Sequence, residues 1–153
     1  MSSIIRTGYR AGPLGMAALL GAAIFAFSAC SSGGPSSGLG LTSGNPRAVV
    51  DERSSAAEGL AAGEGAGNLL VGAGGCFALD ADDGPPVLLV FPEEAQILAD
   101  GWPGVKIADE EYLVGDEVVF SGGYRNLASA ELEAVTDCQP QEEAFFVHAS
   151  PGQ

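Results

Sequence analysis

The feature that most limits what this chain can fold into is its punctuation. From about Asn68 to Ala149, short runs rich in Val, Leu and Phe alternate with Gly, Pro and Asp turn signals, which is the spacing of short strands. Strands are predicted over 69–79, 86–91, 104–108, 116–121, 129–135 and 144–148. Asp82-Asp83-Gly84 ahead of Pro85-Pro86 reads as a hairpin turn, and Val114-Gly115-Asp116 as a second tight reversal. Gly72, Gly74 and Gly75 inside the first run predict a bulge or sharp bend, the device by which small barrels turn a corner. Val87-Leu88-Leu89-Val90-Phe91 shows no polar alternation and is expected to be buried on both faces.

A long bent first strand, a hairpin and a Gly-Asp turn before Glu117-Val118-Val119-Phe120 together look like an all-β fold, a small OB-like or SH3-like barrel of five or six strands. The same stretch resembles the small β-barrel domains found in exported lipoproteins of GC-rich actinobacteria. The features that carry the resemblance are Gly75-Cys76, Phe91-Pro92, Gly115-Asp116-Glu117-Val118 and Cys138. It covers about half of the chain and implies an architecture, with no activity attached.

The N-terminal segment is of another kind. Residues 1–10 carry Arg6 and Arg10 and no acid, and Ala11 to Ala29 carry no charge, with Leu19-Leu20 and Ile24-Phe25-Ala26-Phe27 as the apolar centre. This is a positive n-region followed by an apolar h-region. It ends in Phe27-Ser28-Ala29-Cys30, which resembles the lipobox of bacterial lipoproteins, with Phe27 where Leu is usual. The resemblance implies a signal peptide over 1–29, removed on export, and a lipidated Cys30 as the new N-terminus. Two other readings stay open: cleavage after Ser28 as an ordinary signal peptide, and an uncleaved helix across the roughly 30 Å hydrocarbon core. Each also sends the remainder outside the cytoplasm, because Arg6 and Arg10 stay on the inner side. Stable anchoring takes two or more acyl chains, each buried methylene contributing about 0.8 kcal/mol.

Cysteine parity points the same way. Of three cysteines, Cys30 is consumed by the lipid, which leaves Cys76 and Cys138 to pair in an oxidising compartment. Closing a loop of about sixty residues would stabilise the fold by roughly 4 kcal/mol on the chain-entropy model. Two separate thiols and a metal site are the competing readings, and zinc would need further Cys or His ligands. Residues 31–46 are rich in Ser and Gly, and 47–67 in Ala interrupted by Gly59, Gly63, Gly65 and Gly67. The whole of 30–67 therefore reads as a flexible tether with a marginal helical turn or two, ahead of a domain over 68–153.

Charge excludes one class of function. Removing Arg6 and Arg10 leaves Arg47, Arg53, Lys106 and Arg125 against all twenty acids, a net of −16. Such a surface repels phosphate backbones and anionic head groups, so nucleic acid is excluded as a partner. Among candidate sites, Asp80, Asp82 and Asp83 beside Gly84 present carboxylates of the kind that gather around Ca²⁺. The spacing departs from the EF-hand pattern, with Gly84 and Phe91 at the fifth and twelfth places, and a solvated turn is the simpler account. Asp109-Glu110-Glu111 and Asp116-Glu117 flank one predicted strand. Trp102, in Gly101-Trp102-Pro103-Gly104, is expected to cap the end of the core; exposed, it would be a partner-binding anchor. His148 is the sole histidine, so any small-hydrolase chemistry of the Ser-His-acid kind must pass through it. The sequence predicts a membrane-anchored extracytoplasmic lipoprotein acting as a non-enzymatic binding or accessory module for an envelope protein. No cofactor is expected. Divalent-cation binding and a small hydrolase are the alternatives.

Overall fold

The computed structural model describes residues 37–53, 63–80 and 84–148. Among these, ten strands and one helix follow in the order β1 (Leu39–Leu41), β2 (Val49–Asp51), β3 (Gly63–Val71), β4 (Phe77–Asp80), β5 (Val87–Pro92), β6 (Gln96–Leu98), β7 (Gly104–Ile107), β8 (Glu110–Leu113), β9 (Glu117–Asn126), α1 (Ser129–Ala134) and β10 (Glu143–Val147). Five of them close on themselves. β3 pairs with β4, β4 with β5, β5 with β10, β10 with β9, and β9 returns to β3. All of these pairs are antiparallel except β5–β10, which is parallel. The all-β barrel read from the punctuation is borne out, and the parallel closure makes its strand order OB-like. β6, β7 and β8 form a separate three-stranded sheet. β2 lies parallel to β5, with Val49 opposite Val90, and β1 pairs outside it.

β5 and β10 are apolar throughout because both of their faces are covered. Leu89, Phe91, Phe145 and Val147 point into the barrel, where they join Leu69, Phe77, Leu79, Val118 and Phe120. Their neighbours Leu88, Val90, Ala144 and Phe146 point outward into a second cluster with Leu39, Val49, Leu127 and Val135, as the period of two in a strand requires. Fully burying each such side chain stabilises the fold by roughly 1.5–3 kcal/mol. Inside, Phe91 meets Phe77 and Phe120 edge to face, at centroid distances of 5.9 and 6.3 Å. Tyr112 of β8 packs on Phe120 at 4.9 Å, tying the small sheet to the barrel. The ring of Phe145 fits between two glycines, for a Cβ at Gly65 or Gly122 would lie 2.9 or 2.8 Å from it.

Several expectations need correction. Val87 to Phe91 is buried essentially as read, and the reversal at Gly115 is present, its φ of +100° open to glycine and its Asp116 carboxylate accepting from the Leu113 N–H at 2.9 Å. The expected bent strand over 69–79 is instead two strands, β3 and β4, folded back with Val71 opposite Phe77. The strand expected over 129–135 is the helix α1, since Ala, Glu and Leu favour helix and Glu131 caps its start. The tether expected over 30–67 does not hold for 39–51, where Leu39 and Val49 are buried in the outer cluster. Two short strands, Leu-Gly-Leu and Val-Val-Asp, pair there because β5 offers β2 an edge over Val90–Pro92. Leu39 falls nine residues after Cys30, a span of at most about 32 Å of extended chain.

Candidate functional site

The segment 127–142, between β9 and β10, is folded down onto the outside of β5 and β10 and held by two devices. The first is built on Glu131, whose side chain is 4 % exposed. Its carboxylate accepts from Arg53 at 2.7 Å, from both terminal nitrogens of Arg125 at 2.8 and 3.0 Å, and from the Ala128 N–H at 2.8 Å. Burial pushes its pKa up, but the hydrogen bonds from Arg125, Ala128 and Arg53 outweigh that and bring it down to about 2. Arg53 also pairs with buried Asp51 on β2 at 3.1 Å, and Arg125 lies 4.1 Å over the ring of Phe146. One carboxylate thereby joins β2, β9 and α1.

The second device is the Cys76–Cys138 disulfide, with a Cα–Cα distance of 5.4 Å. Beside it the glycine turn between β3 and β4 packs backbone to backbone against the following segment. Gly74 has φ of +67°, and a Cβ there would fall 1.7 Å from the Asp137 carbonyl oxygen, so only glycine fits. Arg47 closes the contact. Its guanidinium donates to the Gly74 carbonyl and, at 3.2 Å, to Asp137. Gly74 of the glycine run is therefore a packing surface for Asp137 and Cys138.

Beside the disulfide lies a cleft of about 240 Å³. Buried Ala78, Leu88 and the disulfide line it, together with Pro85, Pro86, Gln139, Pro140, Gln141, Gly72 and Ala73. None of the lining side chains is ionisable apart from the disulfide sulfurs, which do not titrate. The prolines, the disulfide and the Gly74–Asp137 contact leave the walls few rotamers to lose when a ligand enters.

The remaining candidates fall elsewhere. Asp80 stands exposed at the end of β4, while Asp82, Asp83 and Cys30 lie outside the described residues. Among the described residues no group of three or more His, Cys, Asp or Glu is placed to hold a metal ion. Trp102 is 75 % exposed in the β6–β7 connection, so it caps no core; the aromatic that packs on the core from the small sheet is Tyr112. Tyr112 donates to Glu110, and burial, aided by that bond, raises its pKa to about 12. His148 follows β10, its backbone N–H donating to the Ser121 carbonyl at 2.8 Å. Its Nε2 is buried and meets no hydrogen-bond partner among the described residues. Of the residues singled out in the sequence, the fold brings together Cys76 and Cys138. It also assigns a role to Glu131, Arg53, Arg125 and Arg47, which no local motif marks, because their partners lie up to 90 residues away.

Comparison of the chain with family models, with curated proteins and with solved structures gives no match in any of the three.

Proposed function

We propose that this chain is a lipoprotein anchored outside the cytoplasm through Cys30, and that its barrel is a non-enzymatic binding module for a protein of the cell envelope. The observation that carries the reading is the Cys76–Cys138 disulfide. A bond of this kind belongs to an oxidising compartment, and it leaves Cys30 as the unpaired cysteine, directly behind an apolar segment flanked by Arg6 and Arg10. The cleft supports the second half of the reading. In OB-like barrels the connections corresponding to β3–β4 and β9–β10 flank the ligand face, and here those two connections are locked together around a preformed concavity. Fold analogy and the site's own geometry thus favour the same face.

Metabolic labelling with an alkyne fatty acid tests the anchor. The wild-type chain is expected to take up label and partition with membranes, and Cys30→Ser to do neither; an unlabelled, soluble wild-type protein sinks the proposal. Crosslinking of the full lipoprotein in its native envelope tests the partner. The cation-binding alternative, resting on Asp80, Asp82 and Asp83, predicts a rise in Tm with millimolar Ca²⁺ by mass action. The small-hydrolase alternative predicts turnover that His148→Ala abolishes.

A further inference from the structure

We propose that the cleft beside the disulfide takes one or two uncharged side chains, proline or aliphatic, presented by a basic extended segment of a protein partner; this rests on the binding-module reading above. Size narrows the class first. About 240 Å³ lies below the roughly 300–1,000 Å³ that enclose a drug-sized ligand or cofactor, and suits side chains from a longer molecule. Lining narrows it further. Ala78, Leu88, Pro86 and Pro140 offer apolar contact, while Gln139 and Gln141, which also line the cleft and are exposed, carry amides fit to hydrogen-bond a peptide backbone. A charged group entering would lose hydration with no opposite charge to meet.

Charge then selects the flanks of the segment. Every cation after Cys30 is spent within the fold: Arg47 on Asp137, Arg53 on Asp51 and Glu131, Arg125 on Glu131, and Lys106 near Glu111 at 4.0 Å. The surface that an approaching partner meets is therefore acidic and carries no free positive group among the described residues. Two acids adjoin lining residues of the cleft along the chain. Asp80 shares a strand face with Ala78, two residues on, and Glu142 follows Gln141; both are exposed and neither forms an ion pair among the described residues. Lys or Arg on either side of an apolar residue complements this rim, and an acidic segment is repelled.

The test is calorimetric titration of the full lipidated chain in detergent micelles with three peptides of equal length. The first carries Leu-Pro-Pro between pairs of Lys, the second replaces every Lys by Glu, and the third keeps Lys but replaces Leu-Pro-Pro by Ser-Gly-Ser. The first is expected to bind at least tenfold tighter than either of the others, to weaken about tenfold between 50 and 300 mM salt as screening predicts, and to shift the amide resonances of Ala78, Leu88, Gln139 and Gln141. Ala73→Trp, which puts an indole on an exposed lining residue of the cleft, is expected to cost tenfold or more in affinity. The paired charge reversals Asp80→Lys and Glu142→Lys, both on exposed positions, are expected to abolish the preference for Lys over Glu. Equal binding of the first and third peptides, or full affinity after Ala73→Trp with an unchanged Tm, overturns the proposal. A partner crosslinked in the envelope through Trp102, with the cleft still open to the peptide probe, would sink this proposal and leave the module reading standing.

Discussion

The two apolar clusters share β5 and β10 and are held by different means. Inside the barrel, phenylalanine rings fill the space edge to face, and no ion pair or crosslink is needed among them. Outside, the cluster under β1 and α1 is built on smaller side chains, Val, Leu and Ala around Phe146, and it is bounded by a disulfide, a clamped glycine turn and a buried carboxylate held by two arginines. The difference teaches how a layer without enough apolar area to fix itself is fixed. Small cores need crosslinks, and here the covalent and ionic ones sit on the same layer, next to the cleft.

The largest expected effect attacks the interior. Phe145→Ala removes a fully buried ring from between Gly65 and Gly122, neither of which has a side chain to fill the gap. It is expected to cost roughly 4–5 kcal/mol, at the top of the range for such truncations. The urea midpoint followed by far-UV and by Trp fluorescence should fall together; if only the outer layer opened, the barrel would not be the unit of cooperativity. Next, replacing Cys76 and Cys138 together by Ala is expected to cost about 4 kcal/mol by the chain-entropy argument. Hydrogen exchange should then rise over 127–142 well before it rises in β3 and β9. Uniform exchange would erase the distinction between the two regions.

Glu131→Gln removes the charge that Arg53 and Arg125 share, and a loss of about 2 kcal/mol is expected, below the usual figure for breaking a buried pair because both arginines keep solvent access. The same group predicts a pH effect. Its folded pKa near 2 lies under the ordinary value of 4.5, so its contribution is full above about pH 4.5 and is lost as pH falls toward 2. Between those values the amides of α1 should lose protection before those of the barrel, and Glu131→Gln should flatten that dependence. The smallest effect is expected at Trp102→Ala, within about 0.5 kcal/mol of wild type, since the indole is three-quarters exposed. A larger loss would mean that the β6–β8 sheet depends on it.

Much of this architecture was legible in the chain, and the failures have physical reasons. Val87 to Phe91 announced its two buried faces by the absence of polar alternation. Gly115-Asp116 announced its turn by the one residue that accepts a φ of +100° and the one whose carboxylate closes the loop. The helix at 129–134 was misread, although 124–139 is free of Gly and Pro, a gap unlike the punctuated stretches before it. β1 and β2 read as tether because Leu39, Leu41, Val49 and Val50 are short apolar runs set in a Ser- and Gly-rich stretch, and the edge of β5 that recruits them lies in no local window. The exposed Trp102 shows the converse: a large apolar residue in a turn is buried only if another element comes to cover it.

By itself, then, the sequence determined the strand-rich class, the doubly buried β5, the net charge and the cysteine parity, because each depends on composition or on neighbours within a few positions. The tertiary structure alone decided that β5 and β10 pair in parallel to close the barrel, that Glu131 meets Arg53 across 78 residues, and that the glycine turn and the prolines of distant segments surround one cleft. Those contacts join residues far apart along the chain, and only closure of the sheet brings them within reach.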